Sequence, residues 1–211
     1  MDFRKDMSIP GQPPYQPTVA KYTDNYMLLI SSSKAFSYAG QRIGVLAISN
    51  KLFNRTYPDL LPIFKTDKFG YAMIYKVVYS LSSGVAHSVQ YGLAAILKAV
   101  NEGKYNFVND VKEYGERAKL LKKVFTDNGF YIVYDKDENE ALADGFYFTF
   151  AYPGMDSEQL LEELLYYGVS AISLTITGSE RKDGLRACVS QISRDDIAIL
   201  NERLKVFHQQ H

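Results

Sequence analysis

Two short apolar runs lie close together in the first quarter of the chain, and a polar segment joins them. Residues 26–30 and 42–48 are each long enough for one buried strand, and the connection is rich in serine and glycine. Lys34 follows the first run after three serines. The pattern therefore predicts a lysine where a strand opens into a loop, a position at which α/β sheets commonly carry their chemistry.

Longer apolar patterns with steps of three and four residues predict helices downstream. Residues 69–83 and 88–101 read as apolar helices separated by Ser83 and Gly84, and residues 52–68 read as irregular or short-helical because Pro58 and Pro62 interrupt them. Residues 107–128 form a long amphipathic pattern that ends at Asn128-Gly129, a sequence typical of a helix end.

The C-terminal part of the chain alternates between strand and helix patterns. Strands are predicted at 130–134, 145–152, 169–174 and 185–191, helices at 157–167 and 194–208, and an acidic loop at 135–140. Asp156 and Gln159 have the spacing of a capping box, and Gly168 closes the helix that follows. This order predicts an α+β arrangement with helices on one face of a sheet.

Composition excludes several classes of function. The 24 basic and 24 acidic residues among 211 cancel, so charge gives no reason to expect a nucleic-acid or membrane partner. No apolar run approaches the length of a membrane span, and the single cysteine, Cys188, cannot form an internal disulfide. We expect a cytoplasmic protein in which Cys188 is a small core residue.

The connection around Lys34 carries six residues at a characteristic spacing. In chain order they are Ser31, Lys34, Gly40, Arg42, Ile43 and Gly44. This segment resembles the cofactor-lysine motif of the class I and II aminotransferases, which depend on pyridoxal phosphate. Ser32 and Tyr38 depart from the family pattern, which more often has apolar residues there.

The resemblance implies that Lys34 is the catalytic residue and forms a Schiff base with the aldehyde of pyridoxal 5'-phosphate. Arg42 and Ser31 would anchor the phosphate, since a guanidinium fork and a hydroxyl match its oxygens, and Ser33 would join them in the cofactor site. Ser31-x-x-Lys34 also matches the nucleophile motif of penicillin-binding proteins, but the accompanying Ser-Asp-Asn and Lys-Thr-Gly tripeptides do not occur.

A second point of resemblance is Arg186, in the predicted strand at 185–191. In the family, an arginine on the corresponding strand of the small domain binds the α-carboxylate of the substrate, and a planar fork suits a planar carboxylate. The resemblance thus implies that Arg186 binds the substrate. No metal site is expected, because His87 has no second histidine or cysteine at ligand spacing.

The resemblance also implies the fold and the domain organisation. It predicts an α/β chain in which the C-terminal part of the large cofactor-binding α/β domain is followed by a small α+β domain. Residues 1–25 are expected to be an extended loop segment, 26–115 a remnant of the large domain and 116–211 the small domain. The family's glycine-rich phosphate loop and its ring-binding aspartate are not recognisable, so the chain is expected to be a C-terminal half that is inactive alone.

The implied function is transfer of an amino group between an amino acid and a 2-oxo acid, in a full-length homodimer without nucleic-acid or membrane partners. A lyase or decarboxylase of the same fold would use the same lysine and arginines, so that alternative stays open. A non-catalytic folded fragment that acts as an interaction domain is the other alternative.

Overall fold

The chain folds into two compact units that meet in sequence between Asn109 and Asp110. The computed structural model describes residues 18–141 and 146–211. We refer to residues 18–109 as the N-terminal unit and to the described residues from 110 onward as the C-terminal unit. Most of the loop predicted at residues 1–25 lies outside the described residues. The assignment of the two units to the large and small domains stays a prediction.

The N-terminal unit contains an antiparallel hairpin. Strand β1 (Met27–Ser31) pairs with β2 (Gly44–Ile48), and the pairing runs from Met27 opposite Ile48 to Ser31 opposite Gly44. The α-helices described in this unit are α1 (Ser32–Ala35), α2 (Asn50–Phe53), α3 (Leu61–Phe64), α4 (Phe69–Tyr71), α5 (Tyr79–Ser82) and α6 (His87–Asn101), and three short 3-10 helices accompany them. A π-helical stretch, Ala72–Val78, joins α4 to α5.

Large apolar side chains lie exposed over much of the N-terminal unit. Leu29 in the hairpin is 85% exposed, and Tyr71, Tyr75 and Tyr79 are each more than half exposed along the segment from α4 to α5. Among the described residues of this unit, three apolar side chains are buried: Ala72, Leu93 and Val100. Exposed apolar area on this scale marks a surface suited to contact with another protein surface.

The C-terminal unit is built on a four-stranded antiparallel sheet of order β3-β6-β8-β7. Its strands are β3 (Tyr131–Ile132), β6 (Tyr147–Ala151), β7 (Ile172–Ser173) and β8 (Leu185–Cys188). A separate two-residue hairpin consists of β4 (Lys136–Asp137) and β5 (Glu140–Ala141). The helices are α7 (Phe107–Asp127), which begins just before the division, α8 (Ser157–Tyr166) and α9 (Asp196–Gln210).

Helices α7, α8 and α9 supply buried side chains to one core together with the sheet. Phe125, Leu164 and Leu204 are fully or almost fully buried there, as are the sheet residues Phe150 and Leu185. Aromatic rings form much of this core: the centroids of Phe125 and Phe150 lie 4.3 Å apart. The amphipathic stripes seen in the sequence therefore face a common apolar interior.

Several predicted elements are confirmed and others need correction. Helix α7 matches its prediction, and the capping box of Asp156 and Gln159 forms as expected. The predicted strand at 169–174 was too long, since only Ile172–Ser173 pairs. The predicted acidic loop at 135–140 was wrong because it contains β4 and the start of β5. Strand ends depend on pairing partners that are distant in sequence, so local patterns place them poorly.

No helix within residues 18–141 and 146–211 is long and apolar enough to cross a membrane.

Candidate active site

Lys34 lies on α1, a single helical turn that begins where β1 ends. The sequence predicted a loop here; instead Phe36 donates a backbone hydrogen bond of 3.1 Å to the carbonyl of Ser32 and closes the turn. The side chain of Lys34 is exposed. Because Ser31 pairs with Gly44, the strand pair fixes both ends of the connection that carries the lysine.

Arg42 lies on the same connection, two residues before β2. Its backbone adopts the left-handed conformation, with φ of 52° and ψ of 44°. Few residues other than glycine take this conformation, and such residues concentrate at functional sites. Its Nη1 donates a 2.9 Å hydrogen bond to the carbonyl of Ala39, which holds the guanidinium on the connection.

Ser31 and Ser33 complete the set of predicted residues on this connection. Ser31 is exposed and stands at the N-cap of α1, but its hydroxyl makes no capping hydrogen bond. Ser33 is half-buried within α1. The segment from the last residue of β1 to the first residue of β2 therefore contains all four predicted residues, Ser31, Ser33, Lys34 and Arg42. No acidic residue occurs between Ser31 and Gly44, so the segment is suited to an anion.

Two residues that depart from the family motif hold the connection in place. Ser32 is 1% exposed, and its hydroxyl donates a hydrogen bond to the carbonyl of Ile43 across the connection. Tyr38 packs against α6 at Gly92, where an added Cβ would lie 2.7 Å from the tyrosine hydroxyl. Both residues depart from the family pattern, and at Ser32 the buried hydroxyl obtains from Ile43 the hydrogen-bond partner that burial requires.

Arg186 belongs to the C-terminal unit and lies on the central strand β8. It is opposite Thr149 of β6 on one side and Ile172 of β7 on the other. The guanidinium carbon lies 4.4 Å from the centroid of the Tyr147 ring. The buried Nε has no hydrogen-bond partner in the part of the chain that the structure describes. Tyr147 was not anticipated from the sequence, because its contact with Arg186 depends on strand register.

A cavity of about 530 Å³ in the C-terminal unit is bordered by Arg186 and Tyr147. Its other walls are mainly apolar and include Phe148, Val169 and Leu200. Polar side chains also line it, namely those of Ser170, Gln191, Asp196 and Arg203. Pockets of this size that combine mainly apolar walls with some polar groups are typical of small-molecule sites. Within residues 18–141 and 146–211, no cluster of three or more His, Cys, Asp or Glu side chains is arranged to hold a metal ion.

The donor groups on the Lys34 connection form a recognisable chemical set. The predicted site residues there supply one primary amine, the two hydroxyls of Ser31 and Ser33, and one guanidinium, and the separate unit presents Arg186 beside a mainly apolar cavity. An amine can bind an aldehyde covalently, while a guanidinium and hydroxyls can bind a phosphate. These residues fit a cofactor that carries both an aldehyde and a phosphate.

The sequence profile of the family described as aminotransferase class I and II matches residues 5–204. The chain therefore belongs to the class I and II aminotransferases, and the family predicted from the sequence is confirmed. The family implies pyridoxal phosphate as the cofactor. No curated protein sequence matches the chain.

Solved structures show the same fold at low sequence identity. An aminotransferase from Mycobacterium tuberculosis has a TM-score of 0.67 and 15% identity, over 97% of this chain and 47% of that one. An aminotransferase from Eubacterium rectale has a TM-score of 0.62 and 20% identity, over 94% of this chain and 43% of that one. The α-aminoadipate aminotransferase LysN from Thermus thermophilus was solved in complex with N-(5'-phosphopyridoxyl)-L-leucine. It has a TM-score of 0.60 and 17% identity, over 87% of this chain and 42% of that one. The chain thus spans less than half the length of these proteins.

Proposed function

We propose that this chain carries the cofactor-lysine part of a pyridoxal-phosphate-dependent aminotransferase. The observation that carries the proposal is the connection between β1 and β2, on which Lys34 and Arg42 are held between the paired residues Ser31 and Gly44. Family membership supports the reaction class. The substrates would be an amino acid and a 2-oxo acid.

Each residue has a distinct role in this proposal. Lys34 would bind the aldehyde carbon of the cofactor and, once released, would move a proton from the substrate Cα. Arg42 would bind the phosphate through its planar fork, and Ser31 and Ser33 would donate hydroxyl hydrogen bonds. Pyridoxal phosphate, when bound, supplies an electron sink for the negative charge that develops at Cα.

Arg186 would bind and orient the α-carboxylate of the substrate. Arg186 is half-buried as a residue, its Nε is buried without a hydrogen-bond partner, and no carboxylate pairs with it among the described residues, so its terminal Nη groups are the donors proposed to meet the substrate. Arginine suits this role better than lysine because its planar fork matches both carboxylate oxygens. A substrate held both at the cofactor and at Arg186 would have a fixed orientation, which would restrict which of its Cα bonds is broken.

We further propose that the chain by itself binds the cofactor weakly and has no transaminase activity, and that the whole protein acts as a homodimer. The chain spans 42–47% of the three solved structures described above, which supports a site completed by other chain segments. The exposed tyrosines at 71, 75 and 79 support a surface covered by protein in the complete enzyme.

The proposal is tested by mixing the purified chain with pyridoxal phosphate and recording its visible absorbance. Borohydride reduction and peptide mapping then locate the modified lysine. We expect labelling to concentrate at Lys34, to disappear in Lys34→Ala, and to persist in Lys51→Ala, which removes another exposed lysine close by in sequence. Labelling spread over many lysines, or unchanged in Lys34→Ala, would contradict the assignment.

A further inference from the structure

Tyr147 and Arg186 lie on one face of the C-terminal sheet. Tyr147 of β6 pairs with Cys188 of β8, and Arg186 lies two residues before Cys188. Side chains two residues apart on a strand point to the same face, so Tyr147 is a diagonal neighbour of Arg186. The 4.4 Å separation between the guanidinium carbon and the ring centroid is within the range of a cation–π contact.

The other described arginines of the C-terminal unit are held differently. Arg194 donates two hydrogen bonds to Glu113, and Arg181 donates two to Asp183. Arg117 bonds Glu113 and the carbonyl of Ile192, and Arg203 bonds the carbonyl of Gly168. Arg186 differs from these four arginines. Among the described residues of this unit, its guanidinium contacts the face of an aromatic ring and bonds neither a carboxylate nor a carbonyl.

This difference matters for the capacity of Arg186 to bind a ligand. A carboxylate partner consumes the N–H donors along the edge of the guanidinium, whereas a ring contacts its face and consumes none. The contact with Tyr147 therefore fixes the guanidinium without using its terminal Nη donors, which are left for a second molecule although Nε is buried. A pre-positioned group also loses less conformational entropy when the ligand binds.

We propose that Tyr147 is a positioning residue that holds the guanidinium of Arg186 by its ring face and keeps its donor edge available to a carboxylate. The adjoining cavity, which both residues line, provides space beside the pair. The inference rests on the proposed function in one respect, namely that the ligand of Arg186 is a carboxylate.

The test uses the full 211-residue chain labelled with ¹⁵N-arginine, in which the Nε–H signal of Arg186 is assigned by its loss in Arg186→Lys. Acetate is the carboxylate probe, and chloride at equal ionic strength is the control. Tyr147→Phe keeps the ring and Tyr147→Leu removes it. The Nε–H signals of Arg181 and Arg194 report whether the fold is intact. If Tyr147→Leu disturbs those signals, Tyr147→Thr replaces it, since threonine is compatible with a strand.

We expect Tyr147→Phe to keep the Arg186 signal and its response to acetate. Tyr147→Leu should move the signal, speed its exchange with water and weaken acetate binding about two- to five-fold, in line with an exposed cation–π contact. An Arg186 signal and acetate affinity unchanged in Tyr147→Leu would overturn the proposal. If acetate leaves Arg186 unaffected in the unmodified chain while Tyr147→Leu still moves the signal, the substrate role of Arg186 fails and the positioning role stands.

Discussion

Arg194 binds the carboxylate of Glu113 through two hydrogen bonds of 2.8 Å, one from Nε to Oε1 and one from Nη2 to Oε2. Arg117 donates a third, of 3.0 Å, from Nε to Oε1. These contacts tie α7 to the segment that leads into α9. The hydrogen bonds from Arg194 and Arg117 lower the pKa of Glu113 from 4.5 to about 2.

Glu113→Gln should lower the urea midpoint of unfolding in a pH-dependent way. The folded-state pKa lies below the unfolded value, so the ionised carboxylate stabilises the fold fully above about pH 4.5, and this contribution is lost as the pH falls towards 2. The difference from the unmodified chain should therefore shrink across that range. The effect should be modest because Glu113 and Arg194 are partly exposed.

The matched control for Glu113→Gln is Glu116→Gln on the same helix. The carboxylate of Glu116 pairs with the exposed Lys119. Urea titrations of both variants from neutral pH down to the folded-state pKa of Glu113 make the comparison. An equal, pH-independent effect of the two substitutions would contradict the role assigned to Glu113.

Adjacent leucines on α8 provide a test of the core. Leu164 is fully buried, whereas Leu165 is 55% exposed. Leu164→Ala should lower the free energy of unfolding by about 2–5 kcal/mol, because it removes buried methyl groups and leaves a cavity. Leu165→Ala should change it by no more than about 0.5 kcal/mol. Denaturant unfolding of both variants measures the contrast, and similar losses would show that the face of α8 has been assigned wrongly.

Gly184 stands directly before the strand that carries Arg186, and its φ is +100°. An added Cβ would lie 2.9 Å from methyl carbons of both Val133 and Leu174. Gly184→Ala should therefore combine backbone strain with overpacking and cost more than about 2 kcal/mol.

Gly154→Ala is the control for this substitution, because Gly154 also has a positive φ but no neighbour within 4 Å of an added Cβ. We expect backbone strain alone there, about 1–2 kcal/mol. Thermal or urea unfolding should rank Gly184→Ala as the more damaging change, and the reverse order would rule out the packing argument.

The contact between Tyr38 and Gly92 predicts a coupled pair of substitutions. Gly92→Ala favours helix α6 by up to about 1 kcal/mol, but the new methyl group would collide with the Tyr38 hydroxyl. With Tyr38→Phe the nearest ring carbon is 3.8 Å from the added Cβ, so the helical gain should appear in full. A double-mutant cycle of unfolding free energies measures the coupling, and additive effects would contradict the contact.

Local patterns in the sequence were enough to predict several of the helices and the family. The stripe that places Val111, Ala118 and Phe125 on one face predicted α7, and the spacing of Asp156 and Gln159 predicted the N-terminus of α8. The motif around Lys34 identified the family, because it depends on spacing within one short segment. Such signals need only neighbouring residues, so a single sequence can contain them.

The contacts that hold these segments in place could not be predicted from local patterns. The hydrogen bond from Ser32 to Ile43, the packing of Tyr38 on Gly92 and the contact of Tyr147 with Arg186 depend on turn geometry, helix packing and strand register. The short pairing of β7 likewise depends on where its partner strand lies. These features arise from contacts between segments distant in space or sequence, which local hydrophobic patterns do not specify.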